Sequence, residues 1–414
     1  MQRKFSRSLP ALALAVVLST AACERGAVGG DESESASEGP VEVALITDSA
    51  GATSLFGTSN INGAQMAVDE LNEAGGVLGE DVELLVRDSK SDPEIGVQLA
   101  RDAILEDEVS AIFGPVSSAV AVAMTEVAKQ NETPIFFHTS NTQTLTAENC
   151  HEYAFQVGPN TTMEGRGNAI ALADEPYERW AVIAPDYEFG HLQSDAFIEK
   201  LQELNPDAEI VKKVYPALGE ADFTSFITSV LASKPDAVYG ALFSGDLIAF
   251  TQQATPLGFF DEVFFTSLYE TDALQALGEE TPEGVRGYSR APFFAIDSPE
   301  IDEFVTNYRD RYGIYPSDWA IMAYDAVKLW AQGVEEAGSL DPNELVEALE
   351  GYEFDSLRGA VTIRPEDHQA SVPVYSGTVS PNPEVGFPTW TDVQQIPGEE
   401  VWLTEEEVLG QQDE

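Results

Sequence analysis

The sequence predicts an α/β protein of two lobes, each a parallel sheet flanked by helices. Two patterns predict it: from Val41 short apolar strands alternate with amphipathic helical segments, and at Trp180 the alternation starts afresh. Length is the third observation, because 414 residues exceed the roughly 250 to 300 at which a single core stops growing. With 43% hydrophobic and 9% aromatic residues, the chain can fill two cores and is no disordered polyanion.

The first set opens with a strand over 41–46. A Gly-Ala-Thr-Ser loop then leads into a helix that carries Ala64, Ala67, Val68 and Leu71 on one face and ends at Gly75 and Gly76. A strand from Val82 to Val86, a helix from Glu94 to Leu105 and a strand from Ser110 to Phe113 follow. Val120, Ala123, Met124, Val127 and Ala128 mark the next helical face, and residues 134–137 form a further strand. In the second set, strands over 180–184, 209–215, 236–243 and 262–265 are separated by helices. One runs from Leu192 to Leu204, and another presents Phe223, Phe226, Ile227 and Val230 on one face. Strands joined by helical crossovers pair in parallel, since tight turns are needed for antiparallel neighbours. Ligands of open α/β sheets sit beyond the carboxyl ends of the strands, so two facing lobes share one cleft.

The N-terminal segment reads as an export signal. Arg3, Lys4 and Arg7 precede an apolar run from Leu9 to Leu18, followed by Ser19, Thr20, Ala21 and Ala22. Cys23 directly after these small residues resembles a bacterial lipoprotein box and is the expected lipidation site. Residues 1–22 are then the signal peptide, and the Gly-, Ser- and Glu-rich residues 23–40 a lipid-anchored flexible tether. With Cys23 lipidated, Cys150 has no disulfide partner. Neither the cysteines nor His138, His151, His191 and His368 have metal-ligand spacing, so no metal or cofactor is expected.

Charge excludes further classes. Lys and Arg number 21 against 72 Asp and Glu, a net charge of -51, which repels phosphate backbones and anionic headgroups and argues against nucleic acid as a partner. A carboxylate-rich surface with eight lysines suits a protein working in concentrated salt, where self-repulsion is screened. No Asp-x-Asp-x-Asp-Gly loop supports calcium binding instead.

Six short motifs then occur in one order: PheGlyProValSerSer (113–118), PhePheHisThrSerAsn (136–141), AspTyrGluPheGly (186–190), ArgTyrGlyIleTyrProSer (311–317), AlaTyrAspAlaVal (323–327) and ValThrIleArgProGluAspHisGlnAla (361–370). Together they resemble the type I periplasmic solute-binding proteins of the branched-chain amino acid and amide ABC transporter class, from about Val41 to Pro397. The resemblance implies a two-lobed type I fold with three interlobe crossings, near 156–159, 286–291 and 360–364. Lobe 1 would comprise 41–157 plus 291–361, lobe 2 158–290 plus 362–400, and 401–414 would be an acidic tail. The implied partners are a small solute (amino acid, amide or related carboxylate) and ABC permease subunits. Membrane contact would run through the N-terminal lipid only, at the outer face of the cytoplasmic membrane or in the periplasm.

Ser117 and Ser118 stand where a strand ends and a helix begins, so hydroxyls, free N–H groups and the helix dipole favour an anion there. Plain N-capping is the alternative; in the resembled family this turn holds the ligand's α-carboxylate. Thr139, Ser140 and Asn141 follow the next strand end as further donors. Phe56, Tyr187 and Phe189 fall in loops where the family places aromatic walls. Asp246 and Glu270 are second-lobe acids able to accept an ammonium group. Branched-chain amino acid binders carry a glutamate where Ser267 or Leu268 stands here, which leaves amides, urea-like solutes and aromatic carboxylates open. His138 is expected to cap a strand edge and Cys150 to be structural.

No enzyme is expected: Gly-x-Ser-x-Gly, His-Glu-x-x-His and Gly-x-x-x-x-Gly-Lys-Ser/Thr motifs are absent. The expected function is a solute-binding lipoprotein that delivers its ligand to an ABC permease. A sensing receptor component of the same fold, or a secreted hydrolase with a dispersed triad, are the alternatives.

Overall fold

The computed structural model describes residues 39–49 and 54–412, which belong to one compact unit. The signal segment, most of the tether and Cys23 lie outside the described residues. The first strands and helices are β1 (Val41–Thr47), α1 (Ser54–Glu73), β2 (Val82–Asp88), α2 (Pro93–Leu105), β3 (Ile112–Phe113), α3 (Ser118–Gln130), β4 (Ile135–Phe137) and β5 (Ala154–Gln156). Their strands form one parallel sheet in the order β2-β1-β3-β4-β5. Both faces of β1 are covered: Val43 and Leu45 enter one apolar cluster while Ala44 and Ile46 enter another. That two-sided burial is why the strand reads as a continuous apolar run rather than an alternation.

The chain then builds α4 (Thr161–Leu172), β6 (Arg179–Ile183), α5 (Glu188–Leu204), β7 (Glu209–Val214), α6 (Thr224–Ala232), β8 (Ala237–Gly240), α7 (Ser244–Ala254), α8 (Phe259–Glu262), β9 (Phe264–Ser267), α9 (Thr271–Leu277) and β10 (Arg286–Ser289). It returns to the first sheet with α10 (Pro299–Tyr312), α11 (Asp318–Ala337), α12 (Pro342–Leu349) and the hairpin β11 (Glu353–Ser356) and β12 (Gly359–Thr362). Helices α2, α10 and α12 begin alike: Asp92, Ser298 and Asp341 accept first-turn amides and a proline follows at once. The cap satisfies an orphan donor and the proline fixes φ where no N–H is needed. Gly63 lets α1 and α11 touch, because a Cβ there would stand 2.0 Å from the Ala320 carbonyl oxygen.

The second sheet runs β14-β13-β10-β9-β8-β6-β7. Its β10, β9, β8, β6 and β7 are parallel, as the alternation predicts. Strands β13 (Val374–Ser380) and β14 (Thr389–Ile396) extend it antiparallel. Helix-length spacing cannot announce such a pair, whose connection is only a short loop. Residues after 400 form α13 (Glu405–Gln412). Leu403 and Val408 pack with Ala147, and Arg166 pairs with Glu407.

Candidate functional site

The strand ends create the site. Beyond β1, β3 and β4 on one sheet, and β6, β8, β9 and β10 on the other, the loops enclose a cavity of about 240 Å³. Gly114 makes the turn after β3 possible: its φ is +100°, and a Cβ would fall 2.0 Å from the Ile46 carbonyl oxygen. That turn brings Val116, Ser117, Ser118 and Ala119 to the cavity wall.

Seven residues expected from sequence share this wall: Ser117, Ser118, Thr139 and Asn141 supply its polar part, and Phe56, Tyr187 and Phe189 its aromatic part. The Ser117 side chain makes no capping hydrogen bond. One expected donor is nevertheless spent: the Ser117 amide donates to Asp48 Oδ2 at 3.1 Å. Asp48 is buried and also accepts from the Ser89 hydroxyl and, at 3.0 Å, from the Ser91 amide. It therefore ties the ends of β1, β2 and β3 together. The Ser118 and Ala119 amides come earlier in α3 than any residue that an intrahelical carbonyl can serve, so the helix opening still offers donors to the cavity.

Ser140, Asp246 and Glu270 are not among the described residues that line the cavity. Ser140 is buried with its carbonyl accepting from the Gln156 amide. Asp246 turns to the backbone, with Oδ2 accepting from the Gly219 N–H at 3.1 Å. Glu270 caps α9 through the Ala273 N–H, and burial together with Asp272 and Asp318 raises its pKa well above the usual carboxylate range. Neither acid that was expected to meet a ligand ammonium lies on this wall: Asp246 is tied to the Gly219 loop, and Glu270 caps its own helix with one oxygen while Oε1 is buried without a partner.

His138 is fully buried behind this wall, its Nδ1 2.8 Å from the Thr139 hydroxyl. Burial, helped by Arg358, pushes it down to about 3, so the ring is neutral. Cys150 is half-buried, and burial pushes its thiol up to about 11, which makes it an inert side chain.

Leu268, one of the two positions where the resembled family carries a glutamate, lines the wall, and sequence reasoning missed Phe243, Trp319 and Arg290, which line it too. Phe56 and Trp319 have ring centroids 4.1 Å apart, and Phe243 meets Phe189 edge-on at 88°. Arg290 lies 5.0 Å from the Trp319 centroid. Its Nε donates to Glu164 Oε1 at 2.8 Å, Nη2 to Oε2 at 3.2 Å, and Nη1 to the Thr139 carbonyl at 2.5 Å. Asn141 donates to the same Glu164 Oε2 at 2.7 Å. Both members of the ion pair are buried. The legible signal was Arg290 itself, one of 21 cations set in the apolar run between β10 and Phe293.

The whole arrangement, two sheets with a cleft at their strand ends, recurs in solved proteins. A leucine-binding protein, LivK, from Thermotoga maritima superposes with a TM-score of 0.76 at 26% identity, over 87% of this chain and 99% of its own length. An R. palustris ABC-transporter solute-binding protein solved in complex with benzoate superposes at 0.79 with 20% identity, over 90% of this chain and 99% of the other. In sequence, the Leu/Ile/Val-binding protein BraC3 of Rhizobium johnstonii is 26% identical over 331 residues, 78% of this chain and 87% of its own. These relatives bind solutes and are not enzymes. The family model described as periplasmic binding protein matches residues 40–383, and the chain belongs to that family.

Proposed function

We propose that the chain is an exported lipoprotein, anchored at Cys23 on the outer face of the cytoplasmic membrane or in the periplasm. It captures a small carboxylate-bearing solute between its two sheets and hands it to an ABC permease. In this reading, 41–157 with 291–361 and 158–290 with 362–400 move as lobes, and the three crossings between them flex when the solute leaves or enters. No chemistry on the solute is required.

One observation carries the reading: a cavity between the sheets whose polar lining includes both the N-terminus of α3 and Arg290. Helix-end donors and a guanidinium both favour an anionic group, the first through the dipole and the second through charge-assisted bonds. The names of the relatives support a carboxylate as well. The amino acids bound by the Rhizobium and Thermotoga proteins and the benzoate of the R. palustris complex share that group.

Isothermal calorimetry with a panel of amino acids, aliphatic and aromatic carboxylates, amides and urea, in concentrated salt, tests the proposal. At least one carboxylate is expected to bind and to raise the melting temperature by mass action. If every carboxylate is silent while a neutral amide binds, the anion reading is wrong. Mass spectrometry of the N-terminal peptide from native membranes, expected to show a diacylglyceryl adduct on Cys23, tests the anchor.

A further inference from the structure

We infer that the solute is an aromatic monocarboxylate without an α-ammonium group, and that Arg290, held by Glu164, decides this. The inference rests on the cleft-binding reading above and narrows its substrate class.

An ammonium group brings three N–H donors and a positive charge, and in a desolvated cleft it needs carboxylates or free carbonyls around it. No Asp or Glu is found among the described residues that line the cavity, and residues 50–53, which are not described, contain none in their sequence. The two acids expected to receive such a group, Asp246 and Glu270, do not line the cavity; Asp246 accepts from the Gly219 amide and Glu270 Oε2 from the Ala273 amide. Glu164 stands behind Arg290 with both oxygens engaged, one by Nε and the other by Nη2 and by Asn141. The Thr139 carbonyl, an acceptor on the wall itself, already receives Arg290 Nη1. An ammonium placed there would lie beside a guanidinium where little water screens the repulsion.

A carboxylate meets the opposite situation. Arg290 carries five N–H bonds, and three are engaged by Glu164 and Thr139. The remaining two, with the opening amides of α3 from the other sheet, suit one planar anion. The rest of the wall is mostly ring: Phe56, Tyr187, Phe189, Phe243 and Trp319. Rings already arranged both tilted and edge-on accept a further planar ring by offset or T-shaped contact. A cavity of about 240 Å³ has room for one ring and one carboxylate.

Calorimetry of the unaltered protein with benzoate, L-phenylalanine and L-leucine tests this. Benzoate is expected to bind at least about tenfold tighter than either amino acid. If leucine or phenylalanine equals benzoate, the inference falls and the cleft-binding reading stands. If benzoate and every other carboxylate are silent, both fall. Arg290→Gln, checked for folding by circular dichroism, is expected to lose benzoate affinity by more than about tenfold; unchanged affinity in a folded variant overturns the role of Arg290.

Discussion

Arg290 reaches across the cleft to Thr139: its Nη1 donates at 2.5 Å to a carbonyl at the end of the opposite sheet's β4. Glu164 makes the reach rigid by holding Nε and Nη2 of the same guanidinium, and Asn141 returns a bond from the first sheet to Glu164. A buried ion pair on one sheet thus clasps the Thr139–Asn141 turn of the other. Asp318, at the start of α11, adds a second clasp by accepting the Arg290 and Ala291 amides at 3.2 and 2.8 Å.

The pair makes a stability prediction. Burial pushes the Glu164 carboxyl up while Arg290 pulls it down, so the charge is tolerated only with its partner in place. Glu164→Ala leaves a buried guanidinium without its counter-ion and is expected to cost about 3–5 kcal/mol in denaturant unfolding. A paired Glu164→Met, Arg290→Met variant is expected to recover most of that loss. A double variant as destabilised as the sum of Glu164→Met alone and Arg290→Met alone would show that the two side chains are not coupled.

Ser118→Glu separates binding from stability. Ser118 is buried at the first position of α3 and faces the cavity. A longer acid has open space to enter, and the helix N-terminus stabilises its charge by about 0.3–1 kcal/mol. The variant is therefore expected to keep its melting temperature within a few degrees and to lose solute binding in calorimetry, because it fills the anion position with its own carboxylate. Intact affinity would remove Ser118 from the site.

How much of this was legible depends on the distance over which each feature is encoded. The parallel strands and Ser117, Ser118, Thr139 and Asn141 are local: a buried strand, then a polar turn at its carboxyl end. Phe56, Tyr187 and Phe189 were expected as loop aromatics; Phe56 and Phe189 in fact lie in the first turns of α1 and α5 and Tyr187 stands at the cap of α5. Arg290 and Trp319 lie 29 residues apart and meet only after the chain returns from the second sheet, so neither sequence neighbourhood shows that they share a wall. Asp246 and Glu270 misled for the converse reason. Acids after a strand suit a ligand ammonium and a helix start equally well, and only the fold shows which donors reach them.

Three acids at the seam between the sheets predict a pH dependence. Asp272 and Glu270 at the start of α9 face Asp318 at the start of α11, with the Thr271 hydroxyl donating to Asp318 Oδ2. Burial, with Asp318 close by, raises Asp272 from 3.8 to about 7, and Glu270 is raised likewise. A carboxyl whose pKa is higher in the folded state binds more protons there than when unfolded. Its contribution to stability is then full below about pH 4 and is lost as pH rises toward about 7. Buried neutral His138 and His151 act in the opposite sense over the same interval, so the test is the difference between proteins: Asp272→Asn is expected to make the melting temperature in concentrated salt fall less, or rise more, between pH 5.5 and pH 7.5 than it does in the unaltered protein. An unchanged slope in the variant would contradict the assignment.

Salt dependence follows from composition and from where the charges lie. With a net charge of -51, like carboxylates repel over the Debye length, which is about 10 Å at 0.1 M salt and about 3 Å at 1 M. Among the described residues, Glu70, Glu73, Glu300, Glu303 and Asp355 line one groove between α1, α10, α11 and the β11–β12 hairpin, with Lys328 as the cation there. Lys328 stands 3.9 Å from Glu70, a separation at which an exposed pair contributes little. Repulsion among these carboxylates opposes the contacts that hold α1 to α10, the Arg311–Asp69 pair and the Asn62 hydrogen bonds to Tyr308 and Tyr312, and screening relieves it. The protein is expected to melt many degrees lower in 0.05 M than in 2 M potassium chloride, and Glu303→Lys to reduce the gap by shortening the run of like charge. A melting temperature indifferent to ionic strength would mean that the acid excess is spread too thinly to strain the fold.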